Sequence, residues 1–223
     1  MKAEVSSIKT VAGKFDCAID DERVAAMTVL IAAGIRDNHL PMPDWYGAVL
    51  AGAIRLCPIC DGYDVIDQNI STVATSRTGL GHALFLRTYS PRVTVIEDGI
   101  APVCREGERQ VCVECCGGQS YLFDVLYPMV GDVARSGLAT ALGIACTDDG
   151  QIVVDRHQRS NVAGLYAAGD VVDGLNQIAV ATGYAAIAAI AIPNYLPEIL
   201  DNEMAGDVRF DKRDANRSTR LTT

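Results

Sequence analysis

Short apolar runs and one helical pattern alternate along the middle of the chain. The β-rich runs Met27–Ala32, Ile70–Thr75 and Arg92–Ile96 predict strands, and the first of them is a continuous apolar run. Between the last two runs, apolar residues recur at helical spacing over Gly79–Tyr89, and Pro91 stops the pattern before the next strand begins. A strand, a helix and a second strand in this order predict a βαβ unit with parallel strands and a right-handed crossover.

The second half of the chain predicts two further strands and one long helix. The strands are Gln151–Asp155 and Leu165–Ala168, and the helix is Gln177–Ile192, which we expect to be buried and to end at Pro193. An apolar run of this length and hydropathy is too short and too weak to cross a bilayer. Residues 201–223 mix acids and bases, so we expect a disordered tail there. Together these elements predict an α/β protein.

Composition and charge exclude several classes of protein. Hydrophobic residues make up 49% of the chain and charged residues 21%, which is a globular composition and not a collagen-like, coiled-coil or disordered one. The net charge of −9 lacks the basic surface that nucleic acids or anionic membranes require, so we expect neither as a partner. The opening residues contain no apolar core of signal-peptide length, and we expect a cytoplasmic protein whose eight cysteines are in a reducing compartment.

The strongest local signal is the sequence Cys57-Pro58-Ile59-Cys60-Asp61. Two cysteines separated by two residues can close a small disulfide ring, in which one thiol is activated by the other. Pro58 stiffens the turn between them, and Asp61 is placed to exchange a proton with a leaving thiolate. The same spacing is compatible with half of a zinc site or with a pair of inert buried thiols.

A zinc-binding module would need a second CxxC pair, which Cys112 and Cys115 could supply. The 51 residues between Cys60 and Cys112 are far more than zinc ribbons have, and this weakens the zinc interpretation. The histidines have no ligand spacing to one another: His39, His82 and His157. We therefore expect no metal, and the zinc module stays an alternative.

Two segments carry a resemblance to a known family. The first is CPICDGYD at 57–64, preceded by VLIAAGIRDNHLPMPDW at 29–45. The second is GLYAAGDVV at 164–172, followed by QIA at 177–179 and an alanine-rich helix. In this order, and at this separation, the two segments resemble the thioredoxin reductase-like family of FAD-dependent pyridine nucleotide-disulfide oxidoreductases. The resemblance covers roughly residues 25–195.

The resemblance implies a Rossmann-like, three-layer nucleotide-binding domain inserted into a partial, discontinuous FAD domain. The expected boundaries are 1–43 for the first segment of the FAD domain, 44–128 for the NAD(P)-binding-like domain with the cysteine pair, and 129–200 for the second FAD segment. The family opens with a strand and a glycine-rich loop that receives the FAD pyrophosphate. Gly13 is the only glycine in residues 1–26, so we expect this N-terminal FAD-binding segment to be lacking.

The activity implied by the resemblance is electron transfer from NAD(P)H through FAD to the Cys57–Cys60 disulfide. The electrons would then pass to a small protein or a low-molecular-weight disulfide. By position in the family, Cys60 would face the flavin, Cys57 would attack the substrate, and Asp61 would donate the proton. A homodimer is implied in the same way. The alternative is a non-catalytic remnant or interaction protein that keeps the fold without the cofactors.

Flavin contacts are implied at the second segment. Asp170, which follows Gly169, would accept hydrogen bonds from the ribityl chain, and the helix that begins near Gln177 would direct its positive N-terminal end at the flavin. The flavin-binding residues that the resemblance implies are Gly169, Asp170, Asn176, Gln177 and Ile178.

The nucleotide fingerprint departs from the family pattern. The resemblance places its three glycines at Ala74, Ser76 and Gly79, and a Cβ at the first two positions obstructs the tight turn and the approach of pyrophosphate. An alternative register through Gly79 and Gly81 would put glycines inside the helix. Glu97 follows the next strand, where a ribose-binding acid is expected, and it favours NAD over NADP. The implied NAD(P) contacts are Ser76, Gly79 and Glu97.

Overall fold

The computed structural model describes the chain over residues 3–74, 77–96, 101–104, 110–114 and 119–203. The chain divides into two compact units. The first unit combines Met1–Ile35 with Ala134–Thr223, and the second is the continuous segment Arg36–Val133. The predicted inserted domain, 44–128, falls within the second unit.

The described residues form thirteen strands and five α-helices. The strands are β1 (Val5–Val11), β2 (Lys14–Ile19), β3 (Glu22–Ala26), β4 (Val29–Ile31), β5 (Ile35–Asp37), β6 (Ile70–Ala74), β7 (Val93–Ile96), β8 (Ala101–Cys104), β9 (Val111–Glu114), β10 (Ser120–Phe123), β11 (Val125–Met129), β12 (Asp132–Ala134) and β13 (Leu165–Ala167). The helices are α1 (Trp45–Leu50), α2 (Pro58–Asp61), α3 (Arg77–Leu86), α4 (Gly137–Thr140) and α5 (Ile178–Glu203). A 3-10 helix, Gly62–Val65, follows α2 directly.

The predicted βαβ unit is confirmed by β6, α3 and β7 in the second unit. β6 and β7 pair in parallel, and β11 pairs in parallel with the other edge of β6, which gives the strand order β11-β6-β7. The register sets Tyr127 opposite Thr72 and Met129 opposite Ala74. β6 is therefore the central strand, and its chain neighbour α3 is the crossover helix.

Both faces of this parallel sheet are covered. One face packs with α3 and the 3-10 helix in a cluster that contains Val65, Ile70, Leu86, Val125 and Tyr127. The opposite face belongs to a larger cluster that includes residues of α1 and of the antiparallel sheet β10-β9-β8: Trp45, Ala48, Val73, Val111, Val113, Phe123 and Leu126. The second unit therefore has three layers, one of helices, one of parallel strands and one of antiparallel strands, as the Rossmann-like prediction requires.

The first unit contains a parallel pair and an antiparallel meander. β4 pairs with β13, and the meander has the order β1-β2-β3. Sequence patterns did not predict the meander, although its first turn has positive φ at both Ala12 and Gly13, as type I′ hairpins require. The predicted strand Gln151–Asp155 is reduced to isolated bridges at Ile152.

The long helix α5 differs from its prediction in length and in environment. It continues through Pro193, which was expected to end it, and reaches Glu203, inside the predicted tail. Pro193 is exposed, so the carbonyl group that loses its helical donor can be hydrated. Ala188 and Ala191 are buried, but Ile190 is 68% exposed. The expectation of a buried helix is therefore wrong.

The length of α5 also bears on the expectation that this apolar run is too short to cross a bilayer. The stretch Ile178–Leu196 has a mean hydropathy of 1.4 and is only 11% buried. By length and composition alone it meets the requirement for a membrane span, contrary to the expectation from the shorter predicted helix.

We predict opposite effects of alanine at two glycines of α3. A Cβ at Gly79 would lie 3.0 Å from the Cβ of Ala74 and 3.1 Å from the Cβ of Met129, whereas a Cβ at Gly81 would meet nothing within 4 Å. Gly79→Ala should lower the free energy of unfolding by about 1–3 kcal/mol, because α3 must move away from the sheet. Gly81→Ala should raise it by up to about 1 kcal/mol through helix propensity. Urea denaturation measures both, and equal stabilities would contradict the close approach at Gly79.

We also predict an acid-sensitive contribution from Asp124, which precedes β11. Its carboxylate accepts hydrogen bonds from the backbone N–H of Asn69 at 2.8 Å and from Nε2 of Gln110 at 3.1 Å. The Asn69 bond first, and then the Gln110 bond, lower the pKa of Asp124 against the opposing effect of burial. A lowered pKa contributes stability above the unfolded-state value, and this stability is lost as the pH falls through the folded-state value.

Asp124→Asn should therefore cost about 0.5–1 kcal/mol at neutral pH and make unfolding less sensitive to acid below about pH 4. Urea denaturation at pH 7 and at pH 3 measures both effects. Asp148→Asn, at an exposed position, controls for the loss of one negative charge. An unchanged acid dependence in Asp124→Asn would contradict the prediction.

Candidate functional site

Cys57 and Cys60 form a disulfide in the second unit, with their Cα atoms 5.3 Å apart. Cys57 is the N-cap residue of α2, and Pro58 lies in the first turn of this helix. The backbone N–H of Cys60 donates to the Sγ of Cys57 at 3.2 Å. Cys60 is exposed and Cys57 is half-buried, so a reagent can reach the disulfide.

The hydrogen bond to the Cys57 sulfur bears on its reactivity. When the disulfide is reduced, a backbone N–H directed at Sγ stabilises a negative charge on that sulfur. Because the thiolate is the nucleophile in disulfide exchange, the contact favours Cys57 as the attacking residue.

The zinc alternative requires these two sulfurs as thiolates. A disulfide supplies none, Cys112 is a half-buried residue of β9, and Cys115 lies outside the described residues. In the described part of the chain, no group of three or more His, Cys, Asp or Glu side chains could hold a metal ion.

Asp61 is held by two side chains from other parts of the second unit. The hydroxyl of Tyr127 donates to Oδ1 of Asp61 at 2.7 Å. Nη1 of Arg55 lies 3.2 Å from Oδ2 of Asp61 and 3.3 Å from Oδ2 of Asp64. The carboxylate of Asp61 therefore has one neutral and one cationic donor, with one donor for each oxygen.

Electrostatics keeps both donors protonated. Burial, and then the hydrogen bond to Asp61 and its charge, hold the pKa of Tyr127 far above its usual value. Burial by itself would lower the pKa of Arg55, but the charge of Asp61 and the hydrogen bonds to Asp61 and Asp64 outweigh it and raise that pKa. Neither side chain loses its proton near neutral pH.

The sequence predicts Asp61 as a site residue but gives no prediction for its two partners, Tyr127 and Arg55. One signal for Tyr127 is present in the sequence, because it interrupts the apolar run Val125–Met129 of a fully covered strand. A buried tyrosine hydroxyl needs a hydrogen-bond partner, so the residue implies a polar group nearby. Arg55 has no comparable signal.

The nucleotide loop can be described only in part. Ser76 and Glu97 lie outside the described residues. Ala74 ends β6, and Gly79 lies in the first turns of α3, where it approaches both Ala74 and Met129 closely. This is the packing role of the third fingerprint glycine. The open surroundings of Gly81 give no such reason for the alternative register.

The residues implied for flavin binding lie in the first unit, beyond β13. Gly169 has φ +80°, a conformation that favours glycine, and is followed by Asp170. The Oδ1 atoms of Asp170 and Asn176 are buried and have no hydrogen-bond partner among the described residues. The backbone N–H of Gln177 donates to the carbonyl of Leu175 at 2.9 Å, and α5 begins at the exposed Ile178.

The two unpartnered oxygens fit the chemistry of a flavin. Buried acceptors without donors are unfavourable, and the hydroxyl groups of a ribityl chain are donors. Residues 3–37 contain β1 to β5 and no glycine-rich turn between a strand and a helix, so the described residues in this range offer no pyrophosphate loop. The residues present therefore fit the ribityl end of FAD.

Comparisons with known proteins find similar oxidoreductases. The family model described as "Pyridine nucleotide-disulphide oxidoreductase" matches residues 100–185. A thioredoxin reductase of Streptomyces clavuligerus is 26% identical over 213 residues, which cover 82% of this chain and 66% of the relative. A thioredoxin reductase of Listeria innocua is 24% identical over 211 residues, or 78% of this chain and 64% of the relative. The chain thus spans less than two thirds of the length of these relatives.

The fold agrees as well. The crystal structure of thioredoxin reductase from Streptococcus pyogenes superposes with a TM-score of 0.77 at 24% identity, over 88% of this chain and 74% of that one. The chain is therefore similar to pyridine nucleotide-disulfide oxidoreductases over the matched residues and has the fold of a thioredoxin reductase. Its sequence similarity to thioredoxin reductases agrees with the resemblance that the two sequence segments predicted.

We predict that Asp170 contributes to flavin affinity. Asp170→Ala should weaken FAD binding at least about tenfold, because it removes a charged acceptor. Asp173→Ala, at an exposed position in the same loop, should change it little. Titration of FAD fluorescence measures both variants. Equal affinities of the two variants, or no binding by the unaltered chain, would contradict the assignment.

Proposed function

We propose that this protein is an FAD-dependent NAD(P)H:disulfide oxidoreductase that uses the Cys57–Cys60 pair. The observation that carries the proposal is the accessible disulfide, whose Cys57 sulfur accepts an N–H bond. When bound, FAD supplies a two-electron relay between the nicotinamide and this disulfide. Asp170 and Asn176 would hold its ribityl chain, and the start of α5 near Gln177 and Ile178 would lie towards it.

The reduced dithiol performs the second half of the reaction. Cys57 attacks a substrate disulfide as a thiolate, which forms a mixed disulfide and releases the first substrate thiol. Cys60 then attacks the Cys57 sulfur, which restores the ring disulfide and releases the second thiol. The dithiol loses two electrons and two protons, and the substrate disulfide gains them. Asp61 is the nearest acid–base group in the motif, and we assign it the proton exchange.

The nucleotide side of the proposal rests on α3. Gly79 lets this helix start close to the sheet, and Ser76 and Glu97 would contact the dinucleotide. A carboxylate at Glu97 would repel a 2′-phosphate, so we propose NADH as the preferred donor.

The substrate class follows from the dithiol and from the relatives. Thioredoxin reductases are named for a small protein, and an exposed disulfide accepts either a small protein or a low-molecular-weight disulfide. We propose a cytoplasmic homodimer by the same similarity. The net charge of −9 does not support binding to nucleic acid.

One observation favours a second candidate function. Ala74 stands where the first fingerprint glycine is expected, at the end of β6. Its Cβ would obstruct the tight turn that the dinucleotide needs. A non-catalytic interaction protein that keeps the fold without nicotinamide turnover is therefore the alternative.

Turnover of a disulfide separates the two candidates. We expect the purified chain with added FAD to oxidise NADH faster than NADPH when hydroxyethyl disulfide is present. Cys57→Ser should reduce this rate more than about 100-fold, because the nucleophile is lost. Cys112→Ser, at a free half-buried cysteine of the same unit, is the control. Absence of turnover would favour the non-catalytic protein, and turnover that survives Cys57→Ser would exclude this dithiol as the reactive pair.

A further inference from the structure

The fixed position of Asp61 is the observation that extends the proposed function. Asp61 ends α2, directly after Cys60, and its backbone N–H donates to the carbonyl of Cys57 at 3.3 Å. Its two carboxylate oxygens are bonded to Tyr127 and Arg55. Neither partner belongs to the cysteine motif, and Tyr127 is 0% exposed.

The donor set fits a carboxylate at Asp61. Tyr127 and Arg55 both donate, and an ionised carboxylate offers only acceptors, one oxygen to each donor. Two charged or titratable side chains contact Asp61: Arg55, which precedes α2, and Tyr127 in β11. A third, Asp64 in the 3-10 helix, contacts Arg55.

We propose that Tyr127 and Arg55 are positioning residues that hold Asp61 as the carboxylate that carries a proton during disulfide exchange. Asp61 takes the proton of the attacking Cys57 thiol and returns it to the thiolate that leaves the substrate. The inference rests on the proposed function, since it assigns two further residues to the same dithiol.

The step balances without another reactant. The Cys57 thiol gives its proton to Asp61, and its sulfur forms a bond to one substrate sulfur while the substrate S–S bond breaks. The departing thiolate takes the proton from Asp61 and leaves as a thiol. Closure of the ring by Cys60 repeats the exchange for the second thiol. Asp61 ends as a carboxylate, the dithiol is oxidised, and the substrate disulfide is reduced.

The proposal makes the choice of leaving group diagnostic. An alkyl thiolate is strongly basic and needs a proton as it leaves, whereas a nitrobenzoate thiolate is weakly basic and leaves without one. The aryl reaction needs Asp61 only to deprotonate Cys57, whereas the alkyl reaction also needs it to protonate the leaving thiolate, so the alkyl reaction should depend more strongly on Tyr127 and Arg55. A general structural defect would slow both reactions equally.

The experiment uses the full chain after chemical reduction and removal of the reductant, with no FAD or NADH. Single-turnover oxidation at pH 7 is followed with hydroxyethyl disulfide and with dithiobis(nitrobenzoate). The Cys57→Ser/Cys60→Ser double variant gives the background from the other cysteines. Because no cofactor takes part, the result is independent of whether the complete reductase turns over.

Tyr127→Phe should slow the alkyl reaction about tenfold and slow the aryl reaction clearly less. Arg55→Gln should behave in the same way, and Arg55→Lys should restore most of the alkyl rate because it keeps the charge. Tyr121→Phe, which removes a hydroxyl bonded to Gln119 in the same unit, is the matched control. Adding Tyr127→Phe to Asp61→Asn should produce no further loss, since Tyr127 acts through Asp61.

Three results would overturn the proposal. These are equal losses with both disulfides, no loss with either, or losses that multiply when Tyr127→Phe is combined with Asp61→Asn. Circular dichroism identifies any variant that is unfolded. If Tyr127→Phe is unfolded, the comparison of Arg55→Gln with Arg55→Lys tests the proposal by itself.

Discussion

The hydrogen bond from Tyr127 to Asp61 joins the short helix of the dithiol to the parallel sheet of the second unit. α2 is only four residues long and has little stability of its own, so its position depends on contacts with other elements. Tyr127 provides such a contact from β11, which is itself fixed by its pairing with β6. The sheet therefore determines where the reactive sulfurs and the neighbouring carboxylate lie.

Each unit keeps buried polar atoms that have no partner among the described residues. In the second unit, Asp61 is bonded to Tyr127 and Arg55, but Nε of Arg55 and Oγ1 of Thr72 are unpartnered. In the first unit, the unpartnered atoms are side-chain oxygens of Asp170, Asn176 and Gln158. Because Asp170 and Asn176 belong to one loop and both offer acceptors, they suit a ligand rich in hydroxyl groups.

Short-range sequence patterns predicted the structure correctly in two places. The βαβ unit follows from the β-rich runs at Ile70–Thr75 and Arg92–Ile96, and the disulfide follows from the spacing of Cys57 and Cys60. Predictions failed where contacts between distant residues determine the structure. The apolar composition of α5 does not reveal that few neighbours cover it, and Arg55 lies far in sequence from Tyr127, so no local pattern connects them. Pro193 was wrongly expected to end α5, because an exposed proline can be tolerated in a long helix.

Tyr127 and Met129 are two residues apart on β11, and both belong to the cluster on the α3 side of the sheet. Met129 lies close to Gly79, and Tyr127 donates a hydrogen bond to Asp61, which follows Cys60 in the chain. The proposed dinucleotide turn and the proposed thiol chemistry thus depend on the same strand. Enlarging this turn to change its cofactor would shift the strand. The reactivity of the sulfurs would then change although no residue near them is substituted.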